Sequence, residues 1–154
     1  MKMFAFFLIG YLIVMMFDFM RIRKIPMDQA LKNIEQDTDI VARHQNISKR
    51  VRYAVQKCGL ELYQKDGFCG TVTVIKVPGQ VTASAILEKM RLEHQIMIAG
   101  SFDVMEGQVL RIGHMGENCR EDKVRCTLHA LQLVLTELGV TLSDDLETCF
   151  MEKQ

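Results

Sequence analysis

The chain has 154 residues, enough for one domain with a substantial core. Its 19 basic side chains balance 19 acidic ones, so charge points to no nucleic-acid or other polyanionic partner. Cys58, Cys69, Cys119, Cys126 and Cys149 form neither a CxxC pair nor a Cys/His ladder, which argues against a metal site and fits reduced thiols in a cytosolic protein.

The first feature in chain order is MFAFFLIGYLIVMMF, residues 3–17, an uninterrupted apolar run followed by Asp18 and a basic RIRK. It is shorter than the roughly 20 residues a helix needs to cross a bilayer. Its length suits a signal-peptide core, but only Lys2 precedes it and no small-x-small cleavage site comes after it. As a signal anchor it would leave the rest of the chain on the cytoplasmic side. The other readings are a buried helix or strand, or a non-native leader. Residues 1–24 are therefore set apart from a domain at 25–154.

Pro26 suits the first turn of a helix. Met27, Ala30, Leu31, Ile34, Val41, Val51, Ala54, Val55 and Cys58 then recur at helical spacing up to Gly59, a natural terminator. This predicts one long helix, with a potential interruption at Gln36, Asp37, Thr38 and Asp39. Lys32, Glu35, Arg43, Lys49, Arg50 and Arg52 make its solvated face. LELY (60–63) reads as a short strand, and the β-branched TVTVIKV (71–77), ending at Pro78-Gly79, as a firm one. Thr82 caps a helix running to about His94, with Ala85, Ile86, Leu87 and Met90 inward. IMIA (96–99) and QVLRIG (108–113) are the next strands. Asn118 and Glu121 read as a capping box, opening a helix whose stripe is Val124, Leu128, Leu131, Val134, Leu135 and Leu138. A short helix is expected after Ser143.

The fold class is therefore α+β: a compact sandwich with a long N-terminal helix. Three or four mainly antiparallel strands carry helices on one face. Walker, GxGxxG, HExxH and GxSxG signatures do not occur.

The stretch GQVLRIGHMGEN (107–118) places a charge, Arg111, in the middle of an apolar strand. Its partner is either an internal acid, Asp103 or Glu106, or an external carboxylate gripped through two parallel hydrogen bonds. His114 reads as a packing or turn-stabilising residue rather than a ligand or base, and Gly113 and Gly116 as the makings of a tight bend. Arg43 and His44 belong on the helix surface. Cys119, beside Arg120 at a helix start, is a weak candidate for a reactive thiol.

Four stretches together carry a resemblance: ARH (42–44), TVTVIKVP (71–78), IMIAG (96–100) and GQVLRIGHMG (107–116). In this order and at these separations, residues 27–139 resemble the C-terminal small domain of class V aminotransferases. These are fold-type-I pyridoxal-phosphate enzymes, and the nearest branch is the alanine–glyoxylate or serine–pyruvate type. The resemblance implies pyridoxal 5'-phosphate as cofactor, held by an N-terminal large domain that supplies the Schiff-base lysine. Lys2 and Lys24 do not sit in a segment resembling that lysine motif. The resemblance also implies that Arg111 binds the substrate α-carboxylate, the substrates being a small amino acid and a 2-oxo acid. No residue of this chain is assigned to catalysis, to the cofactor or to a metal. The chain is expected to be inactive alone and to act as a homodimer or with a complementing subunit, in the cytoplasm. The alternative is a non-enzymatic interaction module, tethered to a membrane through residues 3–17 with its domain facing the cytoplasm. Ser101 and Phe102 depart from the glycine-rich segment found there in relatives.

Overall fold

A computed structural model of the chain describes residues 27–152. Contacts divide the chain into two units, Met1–Ile40 and Val41–Gln154. The described part of the first is helical, and the apolar run at 3–17 lies outside the described residues. The second unit holds both strands and every later helix.

Helix α1 (Met27–Lys57) runs 31 residues without the expected interruption. It contains neither Gly nor Pro, and isolated Asp and Thr residues cost a helix only tenths of a kcal/mol each. Ile47, Ser48, Val51, Ala54, Val55 and Cys58 are buried on one face. The helix stops where Gly59 turns to φ +84 and Leu60 N–H bonds the Val55 carbonyl at 3.0 Å. A β-carbon at Gly59 would also lie 2.9 Å from the Ser143 hydroxyl. The predicted solvated face holds for Arg43 and Lys49 but not for Arg50 and Arg52. Arg50 lies over the Phe150 ring at 4.3 Å and donates from Nε to the Phe150 carbonyl at 2.8 Å. Arg52 covers the Phe68 ring and bonds the Ser48 hydroxyl. Long cationic side chains lay their stems on apolar neighbours, and here the neighbours are distant in sequence.

Strands β1 (Val72–Lys76) and β2 (Val109–Gly113) pair antiparallel, Val74 opposite Arg111 and Ile75 opposite Leu110. The two outer strands expected from LELY and IMIA contract to single bridges, Leu62 with Ile75 and Ala99 with Arg111. Each lies beside a reversal that ends the pairing. Four residues before Ala99, for example, Gln95 takes φ +56 and Ile96 N–H bonds back to the Met90 carbonyl. Two strands and two bridged segments thus give four antiparallel lines.

Thr82 caps α2 (Ala83–Glu93), its hydroxyl accepting from Ala85 N–H at 3.3 Å. Ala83, Ile86 and Met90 are its buried residues. Helix α3 (Glu121–Glu137) buries Val124, Leu128, Ala130, Leu131, Val134 and Leu135, much as its spacing predicts. The capping box is a correction: the N-cap is Arg120, with no side-chain cap bond, and Asn118 closes a separate 3₁₀ turn, Gly116–Asn118. Glu121 instead reaches Arg50 at 2.8 Å, while Glu121 and Asp122 still complement the positive end of the helix. The tail forms α4 (Leu146–Met151), capped by Asp145, whose carboxylate accepts from Thr148 N–H at 2.6 Å.

The sheet shows two different faces, because side chains alternate along a strand. Thr73, Ile75, Leu110 and Ile112 are buried on the side where α1 to α4 contribute Val51, Ile86, Leu128 and Phe150 to one core. The opposite side carries Val72, Val74, Lys76 and Arg111, which are half-buried, and Val109, which is buried. Among the described residues no helix is long and apolar enough to cross a membrane.

Candidate functional site

Arg111 projects from the less covered sheet face because it pairs directly with Val74, and opposed residues in an antiparallel ladder share a side. On its other flank it exchanges both backbone bonds with Ala99, at 2.6 and 3.1 Å. Valine and alanine offer its charge nothing. The guanidinium Nε donates to the Gly100 carbonyl at 2.6 Å, and its centre lies 5.9 Å from the Phe102 ring. The bond to Gly100 holds the guanidinium at its Nε. Neither Asp103 nor Glu106 forms an ion pair with it, and no other described carboxylate does. The internal-acid reading of Arg111 therefore finds no support.

The segment after the bridge shapes this site. Gly100 is close-packed, since a β-carbon there would stand 3.1 Å from Leu87 Cδ1. Phe102 and Val104 project into solvent at 73% and 80% exposure, around Asp103, which takes φ +58. That conformation is uncommon without glycine and costs on the order of 1 kcal/mol. An apolar, locally strained rim thus stands beside an unpaired cation. Sequence reasoning found Arg111 but missed the carbonyl of Gly100 as its support; the signal was the IMIAG segment itself.

His114 is wholly buried, and its Nε2 lies 2.9 Å from the Thr73 hydroxyl. The Nδ1 has no hydrogen-bond partner among the described residues. It is a packing residue, as expected, on the face opposite Arg111. Gly116 does turn, at φ +56, whereas Gly113 remains in the strand. Burial holds the His114 imidazole below its ordinary 6.5, with Arg52 and His44 adding to the effect. The unfolded chain therefore binds a proton at pH values where the folded one does not. The stability contributed is intact above 6.5 and is lost as pH falls below it, by at most about 1.4 kcal/mol per pH unit. Urea-denaturation midpoints measured from pH 7.5 to 5.5 should fall for the native sequence and fall less for His114→Gln. Equal slopes would refute the assignment.

The remaining candidates disperse. His44 Nε2 accepts from Gly116 N–H at 3.3 Å, a link between α1 and the 3₁₀ turn, and Arg43 is exposed. Cys119 is fully buried, which argues against an accessible nucleophile. A groove of about 470 Å³ lies at the C-terminal end of β2, between Ile96, Ile98, Ile112 and Val124, and does not include Arg111.

A covalently held pyridoxal phosphate does not fit the described residues. A Schiff-base lysine must give up its proton beside the substrate clamp. Among the lysines whose side chains are described, Lys57, Lys76 and Lys89 are each ion-paired, and Lys49, Lys65 and Lys123 stand exposed. Lys76, although on the Arg111 face, is bound to Glu61 at 2.5 Å.

No family model matches the chain. An uncharacterised aminotransferase of Methanocaldococcus jannaschii is 33% identical over 105 residues, 68% of this chain and 27% of that protein. The alanine–glyoxylate aminotransferase of Drosophila melanogaster is 30% identical over 109 residues, 70% of this chain and 28% of that protein. Among solved structures, the ureidoglycine–glyoxylate aminotransferase of Bacillus subtilis superposes with a TM-score of 0.67 at 26% identity, covering 71% of this chain and 29% of that one. The chain thus spans little more than a quarter of the length of the relatives it matches. Sequence and fold together place it with the class V aminotransferases of the alanine– and serine–glyoxylate type, as a counterpart of their C-terminal portion.

Proposed function

We propose that residues 25–154 form the small domain of an amino-transferring enzyme and contribute a substrate half-site, with Arg111 as the clamp for the α-carboxylate of an amino acid or 2-oxo acid. The observation that carries this reading is the Arg111 guanidinium, without an ion pair among the described residues and oriented by the Gly100 carbonyl, on a sheet face whose other charge, Lys76, is bound to Glu61. With Nε committed, the terminal nitrogens meet a carboxylate end-on through two charge-assisted bonds. Fixing the carboxylate at two points fixes the direction of the substrate's α-carbon, a positioning effect. Phe102 walls one side of the site and favours a small substrate side chain.

In this reading the cofactor of the parent family, pyridoxal 5'-phosphate, supplies the electron sink, and the residues that hold it belong to the part of the relatives' length that this chain does not match. Amino transfer then requires that part, from a complementing subunit or a full-length homologue, and the assembly works in the cytoplasm. The purified 154-residue chain with pyridoxal phosphate should show no stable aldimine absorbance and no alanine–glyoxylate exchange. Co-expression with a cofactor-binding large domain of the family should produce both. Robust turnover by the chain alone would overturn the half-site reading, as would an inert co-purified complex.

A further inference from the structure

Two of the five cysteines lie together in the core. Cys58, in the turn that ends α1, and Cys149, in the middle of α4, are 1% and 0% exposed. Their sulfurs are 3.8 Å apart, with the Cys58 thiol donating to Cys149 Sγ. They are 91 positions apart in sequence, so this approach is produced by the fold. Nothing in the carboxylate half-site uses either thiol.

We propose that Cys58 and Cys149 form a reversible disulfide that locks the C-terminal helix α4 to the end of α1. The electron donors are the two thiols and the acceptor is a low-molecular-weight disulfide. Cys149, as thiolate, attacks one sulfur of the small disulfide. That S–S bond breaks, and one small thiol leaves with the proton Cys149 gave up. Cys58 then loses its proton and attacks Cys149 Sγ, expelling the second small thiol. Two protein thiols are oxidised to one disulfide and the small disulfide is reduced to two thiols, so atoms and electrons balance.

The geometry favours this order. Burial pushes the Cys149 thiol up and Asp144 adds to this, but the hydrogen bond from Cys58 and the charge of Lys57 offset part of the rise. Burial pushes the Cys58 thiol up to about 12, so it serves better as resolving thiol than as first nucleophile. Closing 3.8 Å to the about 2.05 Å of a disulfide requires side-chain rotation and a small shift of one element. Helix α4 is the element able to yield. It has six residues and is held to α1 by Arg50 on the Phe150 carbonyl and by Tyr53 and Lys57 on Glu152. Short terminal helices open locally at a fraction of the global cost, which gives the small disulfide its access. Cys69 and Cys126 are exposed, and Cys119 is buried elsewhere in the core, so the linked pair is specified by position.

The test is to reduce the full chain, remove the reductant, incubate it with oxidised glutathione in native buffer and map the peptides. The expected product contains a peptide joining Cys58 to Cys149, with an intact mass lower by two hydrogens once mixed disulfides on exposed cysteines are accounted for. Dithiothreitol reverses it. Cys58→Ser and Cys149→Ser each abolish the link, and circular dichroism checks that both variants fold. The linked form unfolds roughly 10 °C higher than the reduced chain. Recovery of Cys58 and Cys149 as free thiols, while Cys69 and Cys126 are fully converted, overturns the proposal. So does a link that forms only in denaturant.

Discussion

Arg111→Gln, introduced into the chain assembled with a cofactor-binding large domain, is expected to lower kcat/KM for amino acid substrates by about 10²- to 10⁴-fold. Each charge-assisted bond lost is worth roughly 1.5–3 kcal/mol, and a bidentate clamp has two. Arg111→Lys should recover only part of this, because an ammonium keeps the charge but not the fork. Stability should change by less than about 1 kcal/mol, since the side chain is half-exposed and gives up one bond, to Gly100. The informative control is an amine substrate without a carboxylate. If Arg111 acts as a clamp, that substrate reacts equally well with both proteins. An equal loss for both substrates would mean that the substitution disturbs the site as a whole, and the clamp assignment would fail.

Arg111 was legible in the sequence because an uncompensated charge inside a β-branched, apolar run breaks the local pattern. Where that charge would find its partner was not legible. Asp103 and Glu106 lie only eight and five positions before it, yet the 3₁₀ turn Asp103–Met105 directs neither carboxylate to the guanidinium. The helix faces of α2 and α3 followed from spacing for a different reason, since a stripe at helical period has one way to be buried. The outer strands and the start of α3 were read less well. A four-residue apolar run does not specify how many of its residues will pair. Asn118 had the right chemistry for a cap but was taken up by a 3₁₀ turn whose glycine, Gly116, adopts positive φ. Arg50 shows the same limit most clearly. On a helical wheel it belongs to the charged face, and only the fold brings Phe150 beneath it, 100 positions away.

That contact leads to the second large effect, the response to Phe150→Ala. Helix α4 is too short to persist in isolation, because the cost of nucleating a helix is not recovered over six residues. Its existence therefore rests on what it buries, namely Leu146, Cys149 and Phe150, all wholly inaccessible. Truncating Phe150 removes the largest of these and also the surface on which Arg50 lies. The expected loss is about 3–5 kcal/mol, the usual range for a buried phenylalanine. That is a large share of the 5–15 kcal/mol typical of a whole domain. Phe150→Leu, which keeps most of the apolar volume, should cost about half as much or less. Urea denaturation followed by circular dichroism measures both. If α4 and the rest of the core unfold as one unit, the full loss appears in the midpoint with an unchanged slope. If α4 detaches first, the slope falls and Cys58 and Cys149 become reactive to thiol reagents well below the main transition. A cost under about 1 kcal/mol for Phe150→Ala would mean that the C-terminal helix is an appendage and that the domain's core ends with α3.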